Sequence, residues 1–304
     1  MFPQINPMLI ANKMEPFNDI NWIFELKLDG CRCIAYLDSE TSLKNKRNIE
    51  MIQKFPELMN LHKYISGPTI LDGELIILKN GVPDFFELQR RTLLTDQFKI
   101  QLASSRLPAS FVAYDCLWFN DDSLLSMPLL DRKEKLDKTV HGENDRFAIS
   151  RFIENNGIGL YQLADERELE GVVAKKKKSI YFPGKRSKEW IKFKRMEDED
   201  FVVAGYVHKG AHTYSIILSK YQNGNLVYKG HVTSGVSKEV VQQLTQTNKS
   251  PLNIISIGLQ NEKVVWVIAD HVCTIEFMPN TKKSLRQPVF KGFRTDIAPE
   301  NISV

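Results

Sequence analysis

The sequence of 304 residues lacks any long hydrophobic run. Its longest apolar stretches, such as Phe111–Ala113 and Val264–Ala269, are far shorter than the ~20 residues that a membrane-spanning helix needs. The first residues do not combine a basic patch with an apolar core, so we expect no secretory signal. The chain also lacks internal repeats and low-complexity segments. These absences favour a cytoplasmic protein with no membrane partner.

Cysteine is scarce and is not arranged for metal binding. The four cysteines lie in apolar, strand-like stretches without the spacing of a zinc site: Cys31, Cys33, Cys116 and Cys273. We expect them to be reduced and buried, as is usual inside cells. The rest of the composition, 42% hydrophobic and 26% charged, is ordinary for a soluble globular protein, and the length suits two domains.

The net charge of +4 is small, but the positive charge is concentrated. Between positions 170 and 196 there are ten lysines and arginines against two acidic residues. Such a run is usually a solvated face. Here it alternates with aromatic residues, which favours a surface that binds a polyanion. These aromatic residues are Tyr181, Phe182, Trp190 and Phe193.

The segment Phe24–Arg32 places a lysine and a tight turn where an apolar strand ends. Apolar residues precede and follow it, so we predict two strands flanking an Asp29-Gly30 turn. A lysine held at a strand end, beside a turn that admits a phosphate, is a candidate nucleophile, and here that lysine is Lys27. The alternative is a hairpin with an exposed lysine.

The pattern predicts a mixed helix and strand region up to about residue 196. We predict strands at Thr69–Lys79, Phe111–Trp118, 170–175 and 190–194, and helices at Glu50–Tyr64 (interrupted near Pro56), Phe85–Leu94 and Pro128–Val140. Residues 147–163 read as a short strand and a loop. The strand at 69–79 contains Asp72-Gly73-Glu74, and three such residues are costly to bury unless something binds them.

After Met196 the sequence changes from mixed helix and strand patterns to an acidic segment followed by short strand-like stretches. The acidic residues 197–200 suggest a hinge. Five short strands and one helical piece then fit a small β-barrel of the OB type. The predicted strands are Phe201–His208, Thr213–Tyr221, Leu226–Val232, Val264–Ala269 and Cys273–Met278, and the predicted helix is Ser237–Thr245.

Seven segments occur in a fixed order along the chain. They are Glu25-x-Lys27-x-Asp29-Gly30-x-Arg32, Lys46-Arg47-Asn48, Leu71-Asp72-Gly73-Glu74, Tyr114-Asp115, Glu170-Gly171-Val172-Val173-Ala174-Lys175, Trp190-Ile191-Lys192-Phe193-Lys194 and the stretch from Leu285 to Asp296. In this order they resemble the motifs of the ATP-dependent DNA ligases, a family of covalent nucleotidyltransferases. The resemblance is nearest to the ligase domain of bacterial end-joining (ligase D type) enzymes and runs from about Pro7 to Asp296.

The resemblance implies an α+β protein of two domains. Residues 1–196 would form a mixed α/β adenylylation (nucleotidyltransferase) domain, and residues 197–304 an OB-fold β-barrel. The implied activity is ATP- and Mg²⁺-dependent sealing of nicks in duplex DNA, with Mn²⁺ as a substitute metal. Lys27 would take AMP from ATP, AMP would pass to the 5′-phosphate, and the 3′-hydroxyl would displace it. The expected settings are DNA repair, recombination and replication.

The resemblance also assigns roles to particular residues. The expected catalytic set is Lys27, Lys192, Lys194, Arg286, Arg294 and Asp296. The expected nucleotide-binding set is Glu25, Lys27, Arg32, Arg47, Glu74, Tyr114, Glu170, Lys192 and Lys194. Glu74 and Glu170 are the expected metal ligands, with ribose binding an alternative for Glu74.

Several of these roles depend on a physical argument. Lys27 must lose its proton to attack, so we expect Lys192, Lys194 and the metal to lower its pKa. Tyr114 would stack on adenine, although a core aromatic is the alternative. Arg286 and Arg294 can reach the triphosphate only if the second domain closes, so we expect them to act in charging the enzyme rather than in joining.

The chain departs from the family pattern at two positions. Ile49 stands where the family usually has glycine, and Ile297 stands where it usually has lysine. The alternatives are an RNA ligase or mRNA capping enzyme of the same superfamily, and a non-catalytic OB-fold DNA-binding protein. We expect a nucleoid-associated monomer, either free-standing or an excised module, that acts on nicked duplex DNA with DNA end-joining factors as candidate partners.

Overall fold

The computed structural model describes residues 2–252, 262–278 and 285–304. The chain divides into two compact units, Met1–Lys194 and Arg195–Val304. Both contain helices and strands, and the predicted α+β class is confirmed. In the described part of the chain, no helix has the length and apolar character needed to cross a membrane.

The first unit contains twelve strands and four helices among its described residues. The strands are β1 (Leu9–Lys13), β2 (Trp22–Leu26), β3 (Cys31–Leu37), β4 (Thr41–Asn45), β5 (Thr69–Lys79), β6 (Val82–Pro83), β7 (Ala109–Phe119), β8 (Asp122–Ser123), β9 (Phe147–Ile149), β10 (Phe152–Glu154), β11 (Gly171–Lys176) and β12 (Arg186–Lys194). The helices are α1 (Phe85–Thr92), α2 (Gln97–Arg106), α3 (Leu129–Thr139) and α4 (Gly157–Glu166).

These strands form two sheets. One has the order β1-β12-β11-β2-β10, and the other has the order β4-β3-β5-β7-β8, with β6 beside β5 and β9 beside β7. Strands β2 and β3 therefore belong to different sheets, and the chain crosses from one sheet to the other at Lys27–Gly30. The two predicted strands flanking the turn are present, but they do not pair as a hairpin, because the apolar residues on either side of the turn belong to two different sheets.

Three apolar layers hold the first unit together. Ile23, Ile34, Ile70 and Trp190 pack in the layer that joins residues of the two sheets. A second layer lies on the other face of the β3-β5-β7 sheet, and a third packs α4 against β2, β11 and β12. Because apolar residues cover both faces of both sheets, the end of β2 is held from two sides.

Several predicted elements of the first unit need correction. The region Glu50–Tyr64 forms three separate 3₁₀ turns instead of one interrupted helix, since Pro56 begins the second turn. Strand β5 is continuous through Asp72-Gly73-Glu74 because its irregularity is taken up by a shift in its pairing with β7. The segment 147–163 contains two strands and the start of α4, whose Asn156 side chain caps the first turn. Helix α2 was not predicted.

The second unit has six strands and one α-helix among its described residues. They are β13 (Glu197–Gly210), β14 (Thr213–Gln222), β15 (Asn225–Val232), α5 (Lys238–Gln242), β16 (Val264–Trp266), β17 (Val272–Met278) and β18 (Arg286–Arg294). The sheet has the order β15-β14-β13-β17-β18, with β16 on β13. Past β15, Ser234 accepts a hydrogen bond from the Phe290 N–H of β18 at 2.9 Å, which brings the two ends of the sheet together as a barrel requires.

Two features of this unit differ from the sequence interpretation. The acidic residues 197–200 are the first residues of β13, paired with β17, so they are not a hinge loop. Strand β18 was not predicted as a strand, because the polar and proline residues at its start and Gly292 within it interrupt the apolar alternation. Gln287 and Gly292 both have positive φ, where the strand bends.

Candidate active site

Lys27 lies directly after β2, where the chain leaves one sheet for the other. Its backbone N–H donates to the Gly171 carbonyl at 2.8 Å, and its Nζ donates to Glu170 Oε2 at 2.8 Å. The side chain is 21% exposed. A Cβ at Gly30 would lie 2.3 Å from the Leu75 carbonyl oxygen, so only glycine allows the chain to pass β5 this closely. The predicted strand-end lysine is therefore held at both backbone and side chain.

Glu170 joins two of the expected lysines. It lies just before β11 and is 5% exposed, with Lys27 on Oε2 and Lys194 Nζ 3.4 Å from Oε1. The following residue, Gly171, has φ +137°, and a Cβ there would lie 2.0 Å from the Phe193 carbonyl oxygen. Glycine is therefore required to bring Glu170 over the end of β12. The structure places Lys27, Glu170 and Lys194 in one cluster.

The pKa of Lys27 does not follow the expected direction. Burial lowers it, but the carboxylates of Glu170 and Glu74 more than offset burial, so the pKa lies above its ordinary value. The expectation of a lowered pKa is wrong here, because the charges of Glu170 and Glu74 act more strongly on the Lys27 amine than the charges of the lysines do. For Lys192 and Lys194 the pKa is lowered, first by burial and also by the charge of Lys27.

Glu74 faces the same cluster from β5. Burial raises the pKa of this carboxyl to about 8, although Lys27 and Arg32 act in the opposite direction. Glu74 and Glu170 each influence the pKa of Lys27, so both lie near it. When burial raises the pKa of a carboxyl group, a cation bound beside it stabilises the ionised form. The two carboxylates expected as metal ligands therefore lie near the same amine.

The donor set fits a magnesium ion held partly by substrate. Within residues 2–252, 262–278 and 285–304, no group of three or more His, Cys, Asp or Glu side chains is arranged to hold a metal. Mg²⁺ usually takes only one or two carboxylates together with phosphate oxygens and water. Glu74 and Glu170 satisfy that requirement.

Arg32 is engaged in an ion pair with a neighbouring strand. Its Nε donates to Asp72 Oδ1 at 2.9 Å, and Nη2 pairs with Oδ2. The Tyr181 hydroxyl also donates to Asp72 at 2.7 Å. Asp72 is buried, but both of its carboxylate oxygens have hydrogen-bond partners. This explains how one of the polar residues inside β5 is tolerated there. Phosphate binding by Arg32 would compete with this pair and stays a prediction.

A second charged cluster surrounds Glu25, which lies on β2 two residues before Lys27. The buried Glu25 carboxylate pairs with Lys133 of α3, and it accepts hydrogen bonds from Lys175 Nζ and Ser150 Oγ, both at 2.9 Å. Burial raises the pKa of Glu25, but the two lysines more than offset it and the pKa is lowered. Burial lowers the pKa of Lys175 to about 8. Lys133 and Ser150 lie outside every recognised motif, so sequence reasoning missed them.

Tyr114 lies beside this second cluster. It is half-buried, contacts the Trp190 ring edge-on with centroids 6.1 Å apart, and has Lys175 Nζ 4.3 Å from its ring centroid. Trp190 has the same lysine at the same distance. The ring is thus part of the wall formed by β7 and β12. Both the stacking role and the core role of Tyr114 stay predictions.

The remaining predicted residues lie elsewhere. Arg47 is exposed in the turn after β4, where Asn48 has φ +59° and the Asn45 side chain accepts from the Arg47 and Ile49 N–H groups. The turn therefore forms without glycine at Ile49. The other three belong to the second unit, described by itself: Arg286 begins β18, and Arg294 at its end bonds Asp296 at 2.8 Å and Asp200 at 3.2 Å.

The basic segment 170–196 is only partly a surface. Tyr181, Trp190 and Phe193 are buried in apolar clusters, so the interleaved aromatic pattern reflects core packing and its interpretation as a binding surface is wrong for these three. Lys175 is also buried. The exposed basic residues of the segment are Lys178, Lys185, Arg186 and Lys188.

Family models match almost the whole chain. The ATP dependent DNA ligase domain matches residues 6–194, and the ATP dependent DNA ligase C terminal region matches residues 209–297. The chain belongs to the ATP-dependent DNA ligases. This confirms the family recognised from the ordered motifs and the expected enzyme class.

Individual relatives agree with this assignment. The chain is 34% identical over 207 residues to the SPbeta prophage-derived DNA ligase-like protein LigB of Bacillus subtilis, covering 67% of this ligase and 73% of LigB. It is 27% identical to the multifunctional non-homologous end joining protein LigD of Mycolicibacterium smegmatis, covering 97% of this ligase but 39% of LigD. The ligase thus spans well under half of that relative.

Solved structures show the same fold. A mycobacterial DNA ligase D complexed with ATP and MES matches with a TM-score of 0.58 at 23% identity, covering 98% of this ligase and 97% of that chain. A structure from work on Lig E DNA ligases, titled as DNA binding with a minimal scaffold, matches with a TM-score of 0.65 at 16% identity and covers 96% of this ligase and all of that chain.

Proposed function

We propose that this ligase seals nicks in duplex DNA by carrying AMP on Lys27. The observation that carries the proposal is the cluster at the end of β2, where Lys27 shares Glu170 with Lys194. Glu170 holds Lys27 at 2.8 Å, and Lys192 lies close enough for its pKa to respond to the Lys27 charge. A nucleophilic amine surrounded by further cations suits attack on a phosphate.

The first step is nucleotidyl transfer to the lysine. Neutral Nζ of Lys27 attacks the α-phosphorus of ATP, a P–N bond forms, and the bond from that phosphorus to the bridging oxygen breaks as pyrophosphate leaves with the electron pair. The amine must first lose its proton, which Glu170 Oε2 is positioned to take along the hydrogen bond that joins them. Lys192 and Lys194 face the developing negative charge.

The remaining steps return the enzyme to its starting state. An oxygen of the 5′-phosphate attacks the AMP phosphorus and releases Lys27, which takes up a proton. The 3′-hydroxyl then attacks the 5′-phosphate, and AMP leaves as the phosphodiester forms. We assign Arg32 and Arg47 to the phosphates of these intermediates, because a guanidinium matches phosphate geometry.

Glu74 and Glu170 would hold the divalent metal, which we propose is Mg²⁺. When bound, the metal supplies positive charge to the phosphates. A cation held by both carboxylates would offset the negative charge that raises the pKa of Lys27. The pKa of Lys27 would then move in the direction that nucleophilic attack requires. Glu74 binding the ribose remains the alternative assignment.

The other assignments divide between the two units. We assign residues 1–196 to an adenylylation domain, with Tyr114 against the base and Glu25 among the nucleotide-binding residues. We assign residues 197–304 to an OB-fold domain whose Arg286, Arg294 and Asp296 act in charging the enzyme. Because LigD relatives are named as end-joining proteins, we propose nicked DNA with end-joining factors as partners.

Sealing of defined nicks tests this proposal. The purified chain is incubated with a nicked duplex that has a 5′-phosphate, with ATP and Mg²⁺, and a parallel nick carries ribonucleotides on both sides. We expect sealing of the DNA nick that depends on ATP and on the 5′-phosphate. Preferential sealing of the RNA nick, or adduct formation with GTP in place of ATP, would contradict the assignment.

A further inference from the structure

Basic residues occupy four of the five alternate positions along β12, and the buried Trp190 occupies the fifth. Successive side chains of a strand point to opposite faces, so residues two apart share a face. The members of this row are Arg186, Lys188, Lys192 and Lys194. Three residues between them, Ser187, Ile191 and Phe193, are buried on the other face. β12 thus carries two pairs of basic residues separated by Trp190, and the pair Lys192 and Lys194 lies at the Lys27 cluster.

Strand β1 extends this row sideways. It pairs in parallel with β12, and Lys13 is the register partner of Lys192, while Leu9 is the partner of Arg186. Residues paired in this way point to the same side of a sheet. The charges of Arg186 and Lys13 both act to lower the pKa of Lys192, which places all three close together. Lys13 is exposed and lies outside every recognised motif.

The row is long compared with a nucleotide. Between Arg186 and Lys192 the paired strand β1 advances by only four residues, from Leu9 to Lys13, because β12 bulges there, and two further residues of β12 lead to Lys194. These six steps of ~3.3 Å make the row from Arg186 to Lys194 about 20 Å long. One strand of duplex DNA carries a phosphate about every 3.4 Å along its axis, so the row could face about six phosphates. A triphosphate has only three. The length therefore suits a nucleic-acid backbone.

The neighbouring strand does not offer an equivalent row. On β11, Lys175 pairs with Glu25 at 2.9 Å and Lys176 pairs with Glu189 at 3.3 Å. By contrast, the side chain of Lys188 makes no hydrogen bond or ion pair with any residue that the structure describes. Positive charge is therefore matched on β11, whereas Lys188 of β12 is available to a ligand.

We propose that Lys13, Arg186 and Lys188 form a track on the β1–β12 edge that binds the sugar-phosphate backbone of the duplex beside the nick. The track rests on the proposed function, because it starts at the Lys27 cluster that would act on the nick. It assigns a DNA-binding role to the N-terminal strand, which none of the motifs contains.

Salt-dependent binding tests the track. Lys13→Gln/Lys188→Gln is compared with the wild type and with Lys99→Gln/Lys138→Gln, which removes two exposed lysines from α2 and α3. Affinity for a nicked duplex is measured across a salt series. Each lost phosphate contact lowers the slope of log affinity against log salt by about 0.9, so we expect the track variant to lose about 1.8 and the control variant to keep the wild-type slope.

Adduct formation without DNA separates the possible outcomes. We expect the track variant to form the enzyme–AMP adduct with wild-type dependence on ATP, and to unfold at the wild-type temperature. A wild-type salt slope in a variant that still forms the adduct would overturn the track and leave the proposed function standing. A raised ATP requirement would also overturn it, since the row would then bind triphosphate. Absence of any adduct in the wild type would instead refute the proposed function.

Discussion

Glu25 and Lys27 are separated by one residue at the end of β2, and their surroundings differ in whether every charged side chain has a partner. Around Glu25, one carboxylate has two lysines and a serine hydroxyl, and all four groups are buried or half-buried. Around Lys27, the side chains of Glu74 and Lys192 make no hydrogen bond or ion pair with a described residue, and the pKa of Glu74 is raised to about 8. We call these the closed cluster and the open cluster.

The difference separates stability from chemistry. A buried charged network contributes to a unique fold when each member is satisfied. An incompletely matched network is costly in the free protein and is retained where a ligand supplies the missing charge. The closed cluster therefore positions β2, α3 and β11, whereas the open cluster is the place where phosphates and a metal would bind.

Removing the shared carboxylate should have the largest effect on the open cluster. Glu170→Gln loses the negative charge that joins Lys27 to Lys194 and that would hold the metal. We expect adduct formation to slow by about 100-fold or more, in the range for loss of one electrostatic catalytic group. The rate is measured with labelled ATP. Glu189→Gln, which removes a partly exposed carboxylate paired with Lys176, is the control and should keep its rate.

Opening the closed cluster should reduce stability instead. Lys133→Met removes one of the two cations on Glu25 and leaves a buried carboxylate with less compensation, so we expect a loss of about 3 kcal/mol in the free energy of unfolding. Denaturant unfolding measures it. Lys138→Met, on the exposed side of the same helix, removes a surface pair with Glu134 and should leave the free energy of unfolding close to the wild-type value. Equal losses would show that Glu25 does not depend on Lys133.

The pH dependence of stability should show the smallest effect. The pKa of Glu74 is raised above the unfolded value, so between ~4.5 and 8 the folded state keeps a proton that the unfolded state loses. The contribution of Glu74 to stability is therefore present at low pH and is lost as pH rises through about 8. In Glu74→Gln this loss should be absent.

Unfolding at pH 6 and pH 9 without metal measures this difference. The wild type should lose more stability than Glu74→Gln between the two values, and Mg²⁺ at pH 9 should stabilise the wild type more than the variant. Parallel pH profiles for the two proteins would mean that Glu74 is ionised in the free enzyme.

The order of motifs was enough to identify the family, and strand patterns located most elements. Strand β5 has the predicted bounds, because alternating and continuous apolar residues mark a buried strand clearly. The sequence could not show that β2 and β3 enter different sheets, since pairing partners of a strand are set by distant residues. It also could not reveal Lys133, whose role depends on α3 packing beside Glu25.

Electrostatics in the site was the least predictable part. Residue types placed Lys27 near other lysines, and from these we expected a lowered pKa. In the structure the charges of Glu74 and Glu170 act on Lys27 more strongly than those of the lysines, and their combined effect reverses the direction of the pKa shift. Such a balance depends on distances of a few ångströms that spacing along the chain does not encode.

The central claim is that the open cluster carries AMP on Lys27. The wild-type protein is incubated with ATP and Mg²⁺ without DNA, denatured, digested and analysed by mass spectrometry for AMP-bearing peptides. We predict one AMP on the peptide that contains Lys27, removed by added pyrophosphate, and none in Lys27→Ala. AMP on a different lysine, or an unchanged adduct in Lys27→Ala, would contradict the account.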